Sequence, residues 1–373
     1  MFRRRTLLGP DWYEGETLPG SYRSLFKWGA VDQFKHPNRR MVALIQETLG
    51  LSEVDFQQPG WLGLEAVEVD QPVNLNLDQV DALRRIVGAE NVYLDGYHRL
   101  RAAYGGGMID ALRLRDKVSQ NLPDVVLHPR HAADVEAVLH YCCEQDIPLY
   151  VFGGRSSVTR GFEAVKGGVS LDLSVYMKRI LAFNEIDQTI TVEPGIFGPE
   201  LEDALQNAPE RFGASQRYTC GHFPQSFEYS SVGGWVVTRG AGQNSTGYGK
   251  IEDIVLAQEY LTPKGVLHTP AYPRSATGPD LNQVMMGSEG AFGILEKVTL
   301  KVFRSLPQNQ RDFSYLFRSW GAALGAVREV MQYQTGYPSV FRLSDPEETD
   351  VALKMYGIAG TPLDSGLEAL GFK

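Results

Sequence analysis

Apolar residues recur at helical spacing in MVALIQETLG (41–50) and QVDALRRIVG (79–88), and each run ends in Gly. Residues 1–119 therefore read as a mainly helical and irregular region. Within it, DGYHRLRAAYGGGMIDALRLRDK (95–117) mixes aromatic and basic residues around a triple Gly. It reads as a solvated helix pair, with contact to an anionic group as the alternative. Over 120–305 the period changes. PDVVLHP, a helix from His131 to Gln145 and PLYVFGG predict a β-α-β start, and SLDLS, RILAFNEID and TITVEPG follow as closely spaced strands. A helix is expected over 198–208. DIVLAQEYLTP and GVLHTP, joined at Pro263, Lys264 and Gly265, read as a hairpin, and helix-like NQVMMGSEGAFG leads into a last strand, ILEKVTLKVF. After Leu306 come a polar linker, strand-like FSYLF, a helix from Trp320 to Gln334 and a strand in SVFRLSD. Residues 306–373 are thus expected to open a third unit with too little material to close a core. The fold class expected is α+β.

Two Gly-rich stretches interrupt this pattern. In PLYVFGGRSSVTRG (148–161) a strand opens into Gly, Gly and small hydroxyl residues. Such a loop presents bare N–H groups without bulk and suits a phosphate or pyrophosphate; an ordinary Gly-rich turn is the alternative. Neither G-x-G-x-x-G nor G-x-x-x-x-G-K-[ST] occurs, so a nucleotide held here calls for another fold. In SSVGGWVVTRGAGQNSTGYGKIEDI (230–254) polar residues lie between two apolar runs, which marks a second candidate binding loop.

Composition narrows the function class. With 373 residues, 43% hydrophobic and 22% charged, the chain is expected to be a soluble globular protein of two or three domains. Its 36 basic and 45 acidic residues give a net charge of −9, which argues against a nucleic-acid partner. Charge is segregated only at the start: Arg3, Arg4, Arg5, Arg23, Lys27, Lys35, Arg39 and Arg40 stand against four acids in residues 1–40. That excess could favour an anionic membrane surface, or could simply be solvated. Cys142, Cys143 and Cys220 form neither a disulfide framework nor a metal-ligand spacing, and a reducing compartment is expected. MFRRRTLLG is followed by no apolar run, so neither a signal peptide nor a membrane span is expected. Cys220, His222 and Glu228 read as loop packing rather than a metal site, Trp235 as a core anchor, and Glu289 as support for a loop rather than a base. GSEG is not the G-x-S-x-G elbow of a hydrolase.

FPQSFEYSSVGGWVVTRGAGQNSTGYG (223–249), followed by KIEDIV, TGPD (277–280) and GSEGAFGI (287–294), resembles the alkyldihydroxyacetonephosphate synthase family, within the vanillyl-alcohol oxidase/p-cresol methylhydroxylase (PCMH) type of FAD-binding proteins. The similarity extends to FKWG near residue 26 and to RLRAAYGGGMIDALRLRDK. It implies a PCMH-type FAD-binding domain of two α+β subdomains at 120–305, between a helical N-terminal region (1–119) and the beginning of an α+β substrate or cap domain (306–373). Four FAD-contacting segments are implied. The first is Val151, Phe152, Gly153, Gly154, Arg155, Ser156 and Ser157, which would cradle the pyrophosphate. The second is Pro224, Gln225, Ser226, Phe227, Glu228, Tyr229 and Ser230. Val237, Thr238, Arg239 and Gly240 form the third, and Ser288, Glu289, Gly290, Ala291, Phe292, Gly293 and Ile294 the fourth.

Arg155 stands where the family usually has a third Gly, and Gln225 where it usually has Asp. An Arg there could bond phosphate or block the approach of its backbone. Relatives that attach flavin covalently use a His in the first loop, so the FAD is expected to be non-covalent. The one substrate-side residue implied is Arg342, in SVFRLSD, as a catalytic residue. If SVFRLSD is a strand, Arg342 shares a face with Val340, as a buried or cleft-lining Arg that either meets substrate or pairs with Asp345. The family's His-rich tract and catalytic Tyr lie beyond the last residue, Lys373, so little synthase turnover is expected of this chain alone.

The resemblance implies exchange of the acyl chain of an acyl-dihydroxyacetone phosphate for a fatty alcohol, with the flavin N5 trapping a substrate carbon and no net electron transfer. A redox flavoenzyme acting on a 2-hydroxy acid or alcohol is the runner-up, and an inactive FAD-binding module the third reading. The expected partner is a small-molecule or lipid substrate. A cytoplasmic location is expected, with peripheral membrane contact and a homodimer left open.

Overall fold

A computed structural model describes residues 18–26, 39–52, 54–55, 61, 63–272, 276–334 and 336–372. The basic residues Arg3, Arg4, Arg5, Lys27 and Lys35, and FKWG beyond Phe26, lie outside the described residues. The chain divides into two units, one formed by 18–29 and 63–308, the other by 1–17, 30–62 and 309–373.

The first unit holds two sheets. β1 (Val92–Tyr93), β2 (Val125–Leu127), β3 (Leu149–Phe152) and β4 (Val169–Asp172) are ordered β1-β2-β4-β3. β4 runs parallel to both β2 and β3, while β1 is antiparallel at the edge. Every residue of β2 and β4 is buried, as central parallel strands covered on both faces require. The expected β-α-β start is present, with the helix Ala132–Glu144 crossing between β2 and β3. Val135, Val138, Leu139 and Cys142 of that helix pack with Leu83 and Val87 of the helix Leu77–Val87. The Leu77–Val87 helix starts where Asn76 accepts from the Gln79 N–H and the Gln79 side chain accepts from the Asn76 N–H. An edge expected at residue 119 therefore falls inside this unit, because residues before it supply a strand and part of a core.

β5 (Ile180–Asn184), β6 (Thr189–Val192), β8 (Val255–Thr262), β9 (Gly265–His268) and β10 (Ile294–Lys301) form an antiparallel sheet ordered β5-β6-β10-β8-β9. The expected hairpin joins β8 to β9, with Thr262 opposite Gly265 across Pro263 and Lys264. Val192, Tyr260, Val298 and Leu300 share a core with Leu201 and Leu205 of the helix Gly198–Gln206 and with Trp235. The last predicted strand is divided: its end, β11 (Phe303–Arg304), pairs with β7 (Tyr218–Thr219) instead. These two sheets with their helices make the fold α+β.

In the second unit Arg40 of the helix Arg39–Leu49 donates to the Tyr356 carbonyl, 2.7 Å away, in the helix Pro346–Tyr356. The strands expected in FSYLF and SVFRLSD do not form. Phe313 and Tyr315 are exposed, and among the described residues of this unit there is no strand for either segment to pair with. Asp345 instead caps the Pro346–Tyr356 helix, accepting from the Glu348 N–H at 2.6 Å, with Pro346 pre-set for the first turn. Among the described residues no helix is long and apolar enough to cross a membrane.

Candidate functional site

β3 delivers its chain into the turn beginning at Gly153. Among the described residues, none of the N–H groups from Gly153 to Val158 donates to a backbone carbonyl. This is the row of bare donors that the sequence predicts. The two glycines answer a second demand as well. A Cβ on Gly153 would lie 2.2 Å from Ser231 Oγ, and one on Gly154 would lie 2.1 Å from the Tyr229 carbonyl oxygen. Ser231 caps the helix Val232–Val237 by accepting from the Gly234 N–H. The Gly pair thus lets the turn pack against the backbone that starts this helix. Gly161 makes a similar allowance for Glu289, whose Oε2 lies 1.9 Å from where a Cβ would stand.

The segments surround a cavity of about 300 Å³. Its lining takes all seven predicted residues of the first segment, Val151, Phe152, Gly153, Gly154, Arg155, Ser156 and Ser157. From the others it takes Pro224, Ser226, Ser230, Val237, Thr238, Gly240, Glu289, Gly290, Gly293 and Ile294. Gln225, Phe227, Glu228, Tyr229, Arg239, Ser288, Ala291 and Phe292 do not line it. Gln225, Glu228, Ala291 and Phe292 are exposed, while Phe227 stacks on Trp235 with ring centroids 6.1 Å apart. Arg239 donates to the carbonyls of Met286 and Gln283, which ties the end of one helix to the start of the GSEG loop.

Residues outside the four implied FAD segments also line the cavity, among them Pro194 and, from the second candidate binding loop, Ser231, Gly233, Gly234 and Trp235. The signal was in SSVGGW: a Cβ on Gly233 would lie 2.5 Å from Pro194 Cβ. Trp235 is the core anchor expected, 3% exposed, with Nε1 donating to Ser230 Oγ at 2.7 Å. It contributes one face to the cavity too.

The segment at 95–117 forms the expected helix pair, Gly96–Arg101 and Met108–Arg115, but the turn between them is buried rather than solvated. Ala102, Ala103 and Tyr104 are fully buried, the Gly105 N–H donates to Asp110 at 3.0 Å, and the Gly106 N–H donates to the Ser157 carbonyl at 2.9 Å. A Cβ on Gly105 would lie 2.2 Å from that carbonyl oxygen. The triple Gly buttresses the first loop from behind. Arg155 is drawn the same way: Nε and Nη2 donate to the Tyr104 carbonyl at 3.2 and 2.9 Å, and Nη2 reaches the Leu25 carbonyl at 3.5 Å. Burial pushes this guanidinium down to about 10. A second cation, Arg101, lies 5.9 Å over the Phe152 ring and pairs with fully buried Asp172 at 2.5 Å.

His222 is 1% exposed and meets Trp235 edge-on, and burial pushes its imidazole down to about 4. The Cys220 thiol donates to the His222 carbonyl, whereas Glu228 points outward to solvent exposure. Arg342 belongs to the other unit. Its side chain is 73% exposed and pairs with Glu348, not Asp345, so it is neither buried nor placed on a strand face. The face argument fails because the segment is extended without a partner strand, and Asp345 is engaged as a helix cap.

The residues present suit a dinucleotide such as FAD: free amides at the end of a strand, a cradle of glycines, and an apolar wall of Val151, Phe162, Leu173, Ile294 and Leu295. Comparison with known proteins agrees. The family described as FAD binding domain matches residues 123–270. Alkyldihydroxyacetonephosphate synthase of Trypanosoma brucei brucei is 32% identical over 319 residues, 84% of this chain and 49% of that protein. An FAD-linked oxidoreductase of Escherichia coli (strain K12) is 32% identical over 276 residues, 72% of this chain and 54% of that protein. A solved alkyldihydroxyacetonephosphate synthase structure superposes with a TM-score of 0.69 at 26% identity, covering 78% of this chain and 51% of the other. The chain spans about half the length of these relatives.

Proposed function

Because this chain belongs to the PCMH-type FAD-binding superfamily, with alkyldihydroxyacetonephosphate synthases among its relatives, we propose that it contributes the FAD site of an ether-forming transferase of that type. The observation that carries the reading is the meeting of the Gly153–Ser157 loop and the GSEG loop, through Glu289, Gly290, Gly293 and Ile294, around one cavity. The free amides of the first loop would hold the diphosphate, the apolar wall would exclude water from the ring, and Trp235 holds the Pro224–Ser230 segment through Ser230 Oγ. Bound FAD would supply an electrophilic centre for the exchange of acyl and alkoxy groups. The binding is non-covalent, since no nucleophilic His stands in the first loop. Arg342 serves the phosphorylated substrate with its exposed guanidinium.

A redox reading is favoured by one finding, the likeness to an FAD-linked oxidoreductase over 72% of the chain. Anaerobic addition of substrates separates the two. Ether product without bleaching of the flavin supports the transferase. Bleaching by a 2-hydroxy acid or alcohol supports the oxidoreductase and defeats the first reading.

A further inference from the structure

We propose that Arg155 is a positioning residue for the FAD loop: its guanidinium ties the turn to the carbonyls of Tyr104 and Leu25 and so holds the free N–H groups in register for a diphosphate. The inference rests on the FAD reading above. It starts from the backbone. Arg155 sits at φ +61°, in the left-handed region that a side chain with a Cβ occupies only under strain. An unrestrained arginine would leave that conformation for an ordinary one. Here Nε and Nη2 both bond the Tyr104 carbonyl, and this two-pronged tie holds the turn in its left-handed step.

The other end of the tie is rigid. Tyr104 is fully buried and its hydroxyl donates to the Val118 carbonyl at 2.9 Å. Two residues on, Gly106 donates to the Ser157 carbonyl, so the loop is held at Arg155 by a side chain and at Ser157 by its backbone. Ser156 lies between the two anchors. With both anchors made before the ligand arrives, ordering the loop costs little at the moment of binding, which is how preorganisation raises affinity. A segment more than fifty residues upstream thereby sets the geometry of the cofactor loop.

FAD titration of the cofactor-free full chain, with unfolding midpoints and hydrogen exchange, tests this on wild type, Arg155→Gly and Arg155→Lys. Glycine relieves the strain and removes the tie together; lysine keeps the charge but lacks the fork. The expected result is a Kd for FAD raised about tenfold in both variants, with the gap from wild type insensitive to salt. Amide exchange should quicken at residues 104–107 and 153–158, while the unfolding midpoint of the glycine variant holds or rises. Unchanged affinity in Arg155→Gly would overturn the inference. So would wild-type affinity in Arg155→Lys with a salt-dependent loss in Arg155→Gly, since charge rather than the tie would then be at work. If wild type itself takes up no FAD, the cofactor reading falls. The exchange measurement still decides the tie, and unchanged rates in Arg155→Gly defeat it.

Discussion

At the scale of single residues, the glycines of GGRSS do more than leave room for a ligand. Gly154 lies so near the Tyr229 carbonyl that any side chain would push two backbones apart, and with them the amides of the turn. Gly154→Ala is therefore expected to weaken FAD binding at least tenfold, about 1.4 kcal/mol or more, and to lower the unfolding midpoint. Equal FAD affinity and stability in the variant would mean the turn tolerates displacement. The sequence made legible that these positions need glycine. It did not show which neighbour requires it, because the contacts of Gly153 with Ser231 and of Gly154 with Tyr229 join segments far apart in the chain. Arg155 was open for the same reason: its acceptors are carbonyls, which carry no side-chain signal. Arg342 shows the opposite error, a burial inferred from a strand pattern that lacks a strand. Its exposed pair with Glu348 contributes roughly 0–1 kcal/mol. In an extended, active form of the chain, Arg342→Lys is expected to keep the unfolding midpoint and FAD content and to lower ether-forming turnover about tenfold or more. Turnover per bound flavin at the wild-type level would remove Arg342 from the substrate side.

At the scale of elements, strands were legible where alternation or a continuous apolar run coincided with a partner elsewhere in the sequence. β2, β3, β4, β6 and the β8-β9 hairpin all fall where the pattern puts them. FSYLF has the same local pattern but no partner, and pairing rather than propensity decides a strand. β10 carries a detail that no pattern announces. Burial, and then Glu259 alongside, push Glu296 up to about 7. Its folded pKa is raised, so its stabilising contribution is complete below the unfolded value of 4.5 and disappears as pH rises through about 7. Glu296→Gln should raise the unfolding midpoint at about pH 8 and leave it nearly unchanged at about pH 5. His128 and His222 act in the other direction, with burial pushing each down to about 4. Their contribution is complete above 6.5 and is lost toward pH 4. With the opposing carboxyl removed in Glu296→Gln, the midpoint should therefore fall between about pH 7 and pH 5. A flat profile there would show that neither imidazole stays neutral in the folded chain.

At the scale of the whole molecule, the α+β class and an FAD-binding region, expected over 120–305 where the family match covers 123–270, were readable from the change of period at 120 and from the family pattern around SSVGGWVVTR. The part played by residues 63–119 was not. They supply β1, a core helix and the buttress behind the first loop, a tertiary role hidden in a stretch that looks solvated. The central proposal is that the first unit holds FAD without a covalent bond. The most direct test is to incubate the purified chain with FAD, remove the excess by gel filtration, record the absorbance spectrum and then precipitate the protein with acid. The expected result is flavin absorbance that elutes with the protein and passes entirely into the supernatant on precipitation. Colour retained in the pellet would contradict the non-covalent site, and a colourless protein after incubation would contradict the cofactor itself.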